Sequence, residues 1–397
     1  VYNHLGPAGN SLSHFGPYFT NRYATPWGEA INVDDEWSGG VRDFIIDNAV
    51  MWFRDYHCDG LRLDAVHAII DRSALHLLEQ LAVRVDALSV RLGRSLQLIA
   101  ESDLNDPRLI RPRLAGGYGL DASWSDEYHH ALHAVLTGET SGYYQDFGTV
   151  ALLAKALRQS YVYDGTWSAY RKRVHGRPPT GIPAYRLLGY LQNHDQVGNR
   201  AAGERITALA SVARAKVGAA LVLTAPFVPM LFQGEEWGAS SPFQYFTDHQ
   251  DPELARAVSQ GRRNEFSGFG WSPEDVPDPQ APETFARSTL DWSELDKPAH
   301  RDLLDWHRQL IALRRRLPDL TNPDLSAAQT TFDEDAGWLV VHRGRVTIAC
   351  NLGTKPAHLP VGGHLVLGSD PAVHADHHGV GLPPDTIAIL VAGNRCG

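Results

Sequence analysis

What most limits the folds open to this chain is a switch of hydrophobic period that recurs along its length. Val41, Phe44, Ile45, Ala49, Trp52, Phe53 and Tyr56 repeat at helical spacing and predict an amphipathic helix. At Cys58-Asp59-Gly60 the period changes, and Leu61-Arg62-Leu63-Asp64 alternates as a strand does. A second helix, with Ser73 placed to cap it, runs to about Leu92 and stops at Gly93. Residues 96–100 then read as a buried strand closed by Glu101. The same succession returns around residues 120–124, 189–193 and 228–233. Helix–strand alternation implies a parallel sheet, and so many units in series favour closure into a (β/α)8 TIM barrel over an open sheet.

Counting the end of a strand at residues 1–3, six strands are legible where a barrel needs eight. The expectation is that the first strands lie upstream of residue 1, so that the numbering opens at the end of strand 3. A chain that starts at Val1 then says nothing about a leader segment. Helix 303–317 ends at Pro318, and the text changes to short strands at 338–342, 346–351, 357–359, 364–367 and 386–391. This predicts a catalytic barrel over 1–318 and a small C-terminal antiparallel β-sandwich over 319–397. The segment 261–282, rich in Gly, Pro and charge, is long for a plain connection and reads as a functional loop.

Composition narrows the ligand. With 36 Lys+Arg against 46 Asp+Glu the chain carries a formal charge of −10, which disfavours phosphate backbones and anionic lipid; neither nucleic acid nor a membrane is expected as a partner. Ten Trp suit a neutral ring-shaped ligand held by stacking, although any one of them serves equally to fill a large core. Cys58, Cys350 and Cys396 lie far apart with no C-x-x-C pair, as reduced thiols of a cytoplasmic protein would. The most apolar run, 219–232, is broken by Pro226 and Pro229 and is too short for a membrane span.

Chemistry concentrates at the strand ends. Side chains two apart on a strand share a face, so Arg62 and Asp64 look into the barrel mouth while Leu61 and Leu63 pack outward. A guanidinium keeps a neighbouring carboxylate ionised, as a nucleophile requires, but an Arg–Asp pair alone serves structure as readily as chemistry. Glu101 decides between them. It closes the adjacent strand, roughly 4.8 Å away, and retaining glycosidases need carboxyls about 5–5.5 Å apart. An apolar run before Glu101 also predicts partial burial and a raised pKa, suited to a general acid. Asn193-His194-Asp195-Gln196-Val197-Gly198-Asn199 ends a later strand. Alone, Asn-His-Asp is a turn or a helix cap; beside the other two acids, Asp195 becomes a group that steadies an oxocarbenium-like transition state.

Tyr2-Asn3-His4, Asp59–Asp64, the strand ending in Glu101 and Asn193-His194-Asp195 together resemble the ordered sequence regions of the α-amylase superfamily. The resemblance implies a nucleophile at Asp64, a proton donor at Glu101 and a transition-state stabiliser at Asp195. It implies further that His4, Arg62, His67 and His194 contact the nucleophile or the reacting sugar, with Gln196 and Asn199 in the substrate-binding set. The Asp-Val that opens the superfamily's first region is absent.

Finer segments resemble the malto-oligosyltrehalose trehalohydrolase family: Trp124-Ser125-Asp126-Glu127-Tyr128-His129-His130-Ala131-Leu132-His133, the run 231–238, 242–249, and Gly261-Arg262-Arg263-Asn264-Glu265-Phe266. The family's Asp and Phe are Glu127 and Tyr128 here. This resemblance implies hydrolysis of the α-1,4 bond next to a terminal trehalose, without a cofactor. It also implies that His129, His130 and His133 meet the substrate's α,α-1,1-linked end. The plainer alternative for His129 and His133, which share a helical face, is a polar helix start packed under the mouth. No acid completes a zinc motif with them, and Asn3 alone is no calcium site, so no metal is expected. Asp376-His377-His378 reads as a solvated loop. Rival functions are glucan branching or α-amylase activity on the same acids, and glucan binding without catalysis.

Overall fold

The structure, a computed structural model, describes residue 5 and residues 11–25, 28–267 and 276–393. Its centre is a parallel sheet of five short strands. These are β1 (Gly60–Leu63), β2 (Gln97–Ala100), β3 (Ala122–Trp124), β4 (Leu187–Tyr190) and β5 (Val228–Met230), adjacent in that order. Alternation sorts their side chains onto two faces. Ile99, Ala122, Trp124, Leu188, Tyr190 and Met230 meet on the inner face. Leu98, Ala100 and Leu187 point the other way, into the main core shared with the helices. Two separate apolar clusters on one parallel sheet are what a barrel wall requires: one fills the interior, the other seats the helices. The strand thought to end at residue 3 lies outside the described residues.

The first helix, Ser38–Arg54, buries Val41, Ile46, Ala49, Val50 and Phe53. Its period was legible, but its face is turned from the expected one. Phe44, Trp52 and Tyr56 are exposed, Phe44 edge-on to Tyr18 and Trp52 beside Tyr56. Helix Leu77–Leu92 ends at Gly93 in the left-handed conformation, as read. Its start differs. His76 is the N-cap, its Nδ1 accepting from the Leu78 N–H at 3.2 Å, and Asp71 accepts from the Leu77 N–H at 2.6 Å. Ser73 instead hydrogen-bonds Asp71. A carboxylate held by Arg42 at 2.8 Å is a stronger acceptor than a hydroxyl, so Asp71 takes the helix end.

Between β4 and β5 runs helix Val212–Thr224, buried on nearly every side, which explains the long apolar text there; Pro226 follows its end. Helix Pro298–Arg316 lies on it, with Trp306 donating to the Lys216 carbonyl at 2.9 Å. The expected loop at 261–282 begins as helix: Pro252–Ser267 takes its first seven residues, and 268–275 lie outside the described ones.

Beyond Pro318 the chain forms two antiparallel layers. One holds Ala328–Asp333, Trp338–Arg343, Val346–Asn351, Thr386–Val391 and His364–Gly368, in that order; the other holds Ala357–Leu359, Val380–Leu382 and His374–Ala375. Val340, Ala349, Leu359, Val380, Leu382, Ala388 and Leu390 fill the space between. Ala328–Asp333 escaped the sequence reading because it is a largely polar edge strand. The turn after it is tied to helix Val150–Gln159: Glu334 accepts from the Val150 and Ala151 N–H groups at 3.0 and 2.9 Å and caps that helix.

Helix Asp126–Thr137 approaches β4 through Gly189, where a Cβ would lie 2.9 Å from the Tyr128 ring and 3.1 Å from that of Phe227. Both rings are fully buried. Gly189→Val is therefore expected to cost about 1–3 kcal/mol by overpacking. Urea denaturation checks this, and an unchanged midpoint would mean the helix can step back freely.

Candidate active site

β1 and β2 pair with Leu63 opposite Ala100, so Asp64 and Glu101 are the next residues across the two strands. The ladder continues past them: the Glu101 N–H donates to Leu63 O at 3.0 Å and the Val66 N–H to Glu101 O at 3.1 Å. Chain spacing thus brings the two acids side by side at about 4.8 Å between strands. Ala65 then turns the chain with a φ of 39°, and this aims its N–H at Glu101 Oε2, 2.5 Å away. A non-glycine residue in that region costs on the order of 1–2 kcal/mol, which the hydrogen bond to the buried Glu101 helps to offset.

Arg62 joins all three sequence-predicted acids. Its Nη1 pairs with Asp64, while Nη2 lies 3.6 Å from Glu101 Oε2 and 3.7 Å from Asp195 Oδ2. The guanidinium rests over the Trp124 ring at 4.6 Å, so the inner face of β3 supplies its floor. Asp195 arrives from the end of β4. Asn193 caps helix His194–Gly198, its Oδ1 accepting from the Asp195 and Gln196 N–H groups at 2.9 and 3.0 Å. The tripeptide is therefore a helix cap, and that cap turns Asp195 toward Arg62.

Burial separates the three acids. The side chain of Glu101 is 16% exposed, against 31% for Asp64 and 43% for Asp195. Loss of water raises the Glu101 pKa, the Ala65 N–H and Arg62 pull it back in part, and the nearby Asp195 and Asp64 charges raise it again; the balance is upward.

The other predicted residues divide into two groups. His194 Nε2 lies 3.5 Å from Asp195 Oδ1, with its ring edge-on to Trp124. His67 Nε2 lies 3.9 Å from Asp103, two residues beyond Glu101, and Asp103 is held by Arg171 at 2.9 Å. Gln196 has a buried Oε1 without a hydrogen-bond partner, and Asn199 Oδ1 accepts from Arg262 at 3.2 Å. His4 lies outside the described residues. His129, His130 and His133 are all buried on helix Asp126–Thr137. Both ring nitrogens of His129 are engaged, by Leu191 O at 2.7 Å and the Tyr144 hydroxyl at 2.8 Å. His133 bonds Glu139 at 2.8 Å and stacks on Tyr144. His130 sits among Tyr143, Tyr144 and Phe147, and burial pushes it down to about 3. All three belong to an aromatic layer behind the mouth, in which His129 stacks on Tyr190 and His130 and His133 pack against His129 and Tyr144.

Sequence reasoning missed several groups near the mouth. Trp124 as the floor for Arg62 and Asp103 as the partner of His67 are two of them. The third is Asp126, which accepts from the Tyr190 hydroxyl and is pushed up to about 7 by burial. Trp124 and Asp126 stood in a quoted motif, but only the fold turns them toward Arg62 and Tyr190. Among the described residues, no group of three or more His, Cys, Asp or Glu side chains is arranged to hold a metal ion.

The fold has counterparts among solved structures. A crystal structure of a candidate alpha amylase from Salmonella typhimurium superposes with a TM-score of 0.87 at 35% identity, over 98% of this chain and 66% of that one. An alpha-amylase from Geobacillus thermoleovorans shares the fold at 19% identity and a TM-score of 0.53, over 91% of this chain and 66% of that one. The likeness to the Salmonella structure places the chain in the α-amylase superfamily. Residues 323–389 match a domain of unknown function, DUF3459. The malto-oligosyltrehalose trehalohydrolase of Arthrobacter ramosus is 55% identical over 92% of this chain, and that of Mycobacterium tuberculosis strain H37Rv 49% over 99%. The chain belongs to the malto-oligosyltrehalose trehalohydrolase family. It spans 63% and 68% of those two relatives' lengths.

One acid beside the mouth serves packing. Glu235, after β5, is buried and takes hydrogen bonds from the Gln192 side chain at 3.2 Å and the Phe232 N–H at 3.3 Å, while its Oε1 has no partner. Burial pushes it up to about 8. An unfolded Glu titrates near 4.3. Above that pH the unfolded chain releases a proton that the folded chain keeps, so this group's stabilisation is complete below about pH 4 and is lost as pH rises toward 8. Glu235→Gln keeps the shape and removes the titration. Its melting temperature relative to the parent is expected to climb between pH 5 and pH 8. A difference that stays flat with pH would show Glu235 to be ionised in the fold.

Proposed function

We propose that this chain carries the hydrolytic machinery of a protein that cleaves the α-1,4 bond next to the terminal trehalose of maltooligosyltrehalose, releasing trehalose. The observation that carries the reading is a single guanidinium facing three carboxylates, two at the ends of neighbouring strands and the third on the short helix after β4. In the first step Glu101 gives its proton to the glycosidic oxygen while Asp64 attacks the anomeric carbon. The C–O bond to trehalose breaks and a glycosyl ester on Asp64 forms. Glu101, now a carboxylate, takes a proton from water, whose oxygen displaces Asp64 and restores the original anomeric configuration. Asp195, with His194, holds the hydroxyls of the flattening ring, and Arg62 holds the Asp64 carboxyl in place for attack. His67, Gln196 and Asn199 extend the sugar-binding surface. His129, His130 and His133, buried as they are, serve to position the groups packed in front of them. The catalytic unit is the barrel, residues 1–318, and 319–397 form the sandwich that braces it. The scattered thiols of Cys58 and Cys350 fit a cytoplasmic setting, and among the described residues no helix is long and apolar enough to cross a membrane.

Asp64→Asn and Glu101→Gln in the full-length protein should each lower turnover by on the order of 10²–10⁴-fold, with folding unchanged by circular dichroism. The loss in Glu101→Gln should be smaller for substrates with an activated leaving group, which needs no proton. Chromatography of the parent reaction should give trehalose and a shortened glucan. New α-1,6 branches, or maltodextrins without trehalose, would replace this reading with a branching enzyme or an α-amylase.

A further inference from the structure

We propose that a run of aromatic rings leaving the end of β5 is a track for the α-1,4-glucan arm of the substrate. The proposal rests on the functional reading above and extends it to the part of the substrate far from the cleaved bond. Phe232 stands two residues beyond β5, with the Arg205 guanidinium 5.0 Å above its ring. From it the ring centres step 5.2 Å to Phe243, 6.3 Å to Phe246 and 5.1 Å to Phe285, each ring nearly perpendicular to the last.

The first two rings are half-buried, and edge-on packing accounts for them. The outer two are not accounted for in that way: Phe246 is 38% exposed and Phe285 58%. Together with Pro282 they wall a cavity of about 490 Å³ whose remaining sides include Thr247, Asp248 and Gln280. That volume lies within the range of small-ligand sites, roughly 300–1,000 Å³. Gln280 is held in place, its Oε1 accepting from the His249 N–H at 3.1 Å and its Nε2 donating to His249 O at 3.2 Å. An apolar floor with fixed polar edges matches a pyranose, which has apolar faces and a rim of hydroxyls. Asp248 at the edge and the net charge of −10 disfavour an anionic occupant.

The track is continuous with the mouth. Arg262 lies over the Tyr245 ring at 4.6 Å, donates to Gly198 O at 2.7 Å and reaches Asn199 at 3.2 Å. Three segments far apart in sequence, 194–199, 243–249 and 261–264, therefore meet on the Asp195 side of the opening. A glucan leaving the reacting sugar on that side would run onto these rings.

The test uses the full-length protein with maltooligosyltrehaloses of increasing length, and the variants Phe285→Ala and Phe246→Ala. Each variant should raise KM for long-armed substrates about 3- to 10-fold, the scale of one aromatic contact, with kcat held and the shortest substrate unaffected. Phe285→Tyr, which keeps the ring, should behave as the parent. Equal KM at every length in both variants, or a parallel loss on short and long substrates, would overturn the track. If the parent releases no trehalose at all, the functional reading fails by itself. Calorimetric titration with maltoheptaose then decides the track alone: weaker binding to Phe285→Ala supports it, and unchanged binding overturns it.

Discussion

Three carboxylates gathered around one guanidinium form the contact on which this mouth depends. Two unit charges 4 Å apart at an effective dielectric of 20 interact by about 4 kcal/mol, so three ionised acids cannot be brought together without compensation. Arg62 offsets part of the repulsion, and a retained proton is the cheapest remedy for the rest. Burial chooses where that proton stays. Glu101 is the least exposed of the three and has its pKa raised, whereas Asp64 has the shortest pairing with Arg62. A buried acid whose pKa is raised, beside a more exposed one paired with a guanidinium, suits the two roles that double displacement needs.

Much of the inner barrel serves to hold that guanidinium still. Trp124 lies beneath it, Tyr190 packs edge-on against Trp124, and the Tyr190 hydroxyl is fixed by the buried Asp126. Behind Tyr190 stands His129, locked at both nitrogens, and behind that the Tyr144–His133–Glu139–Arg200 chain. Arg200 sits at the far end of the segment that carries Asp195, so the polar layer behind the mouth ends where the third acid begins. Buried networks of this kind are rigid when every member is satisfied. The histidine-rich motif thus connects to the chemistry through positioning, although its own nitrogens do not face the substrate space.

How much was legible depended on the range of the cause. Helix Leu77–Leu92 and its Gly93 stop, the strands at 346–351, 357–359 and 386–391, and the short strands before Asp64 and Glu101 follow from local period and turn chemistry. The cap of helix Leu77–Leu92 was misread because the competing acceptor, Asp71, gains its strength from Arg42, 29 residues away. The turned face of helix Ser38–Arg54 has a similar origin. Aromatic residues at the edge of an apolar stripe can lie on either side of it, and only the neighbouring elements decide.

By itself the sequence determined the alternation of helix and strand, the placing of an acid or an Arg-x-Asp pair at successive strand ends, and hence the barrel and its family. These are properties of neighbours along the chain, set by a period of two or of 3.6 and by which residues can end an element. Tertiary structure alone decided which groups lie around the buried Glu101, which histidines are sealed away, and which phenylalanines reach solvent. Each of those depends on the water removed and the charges approached by groups distant in sequence, and no local pattern encodes that.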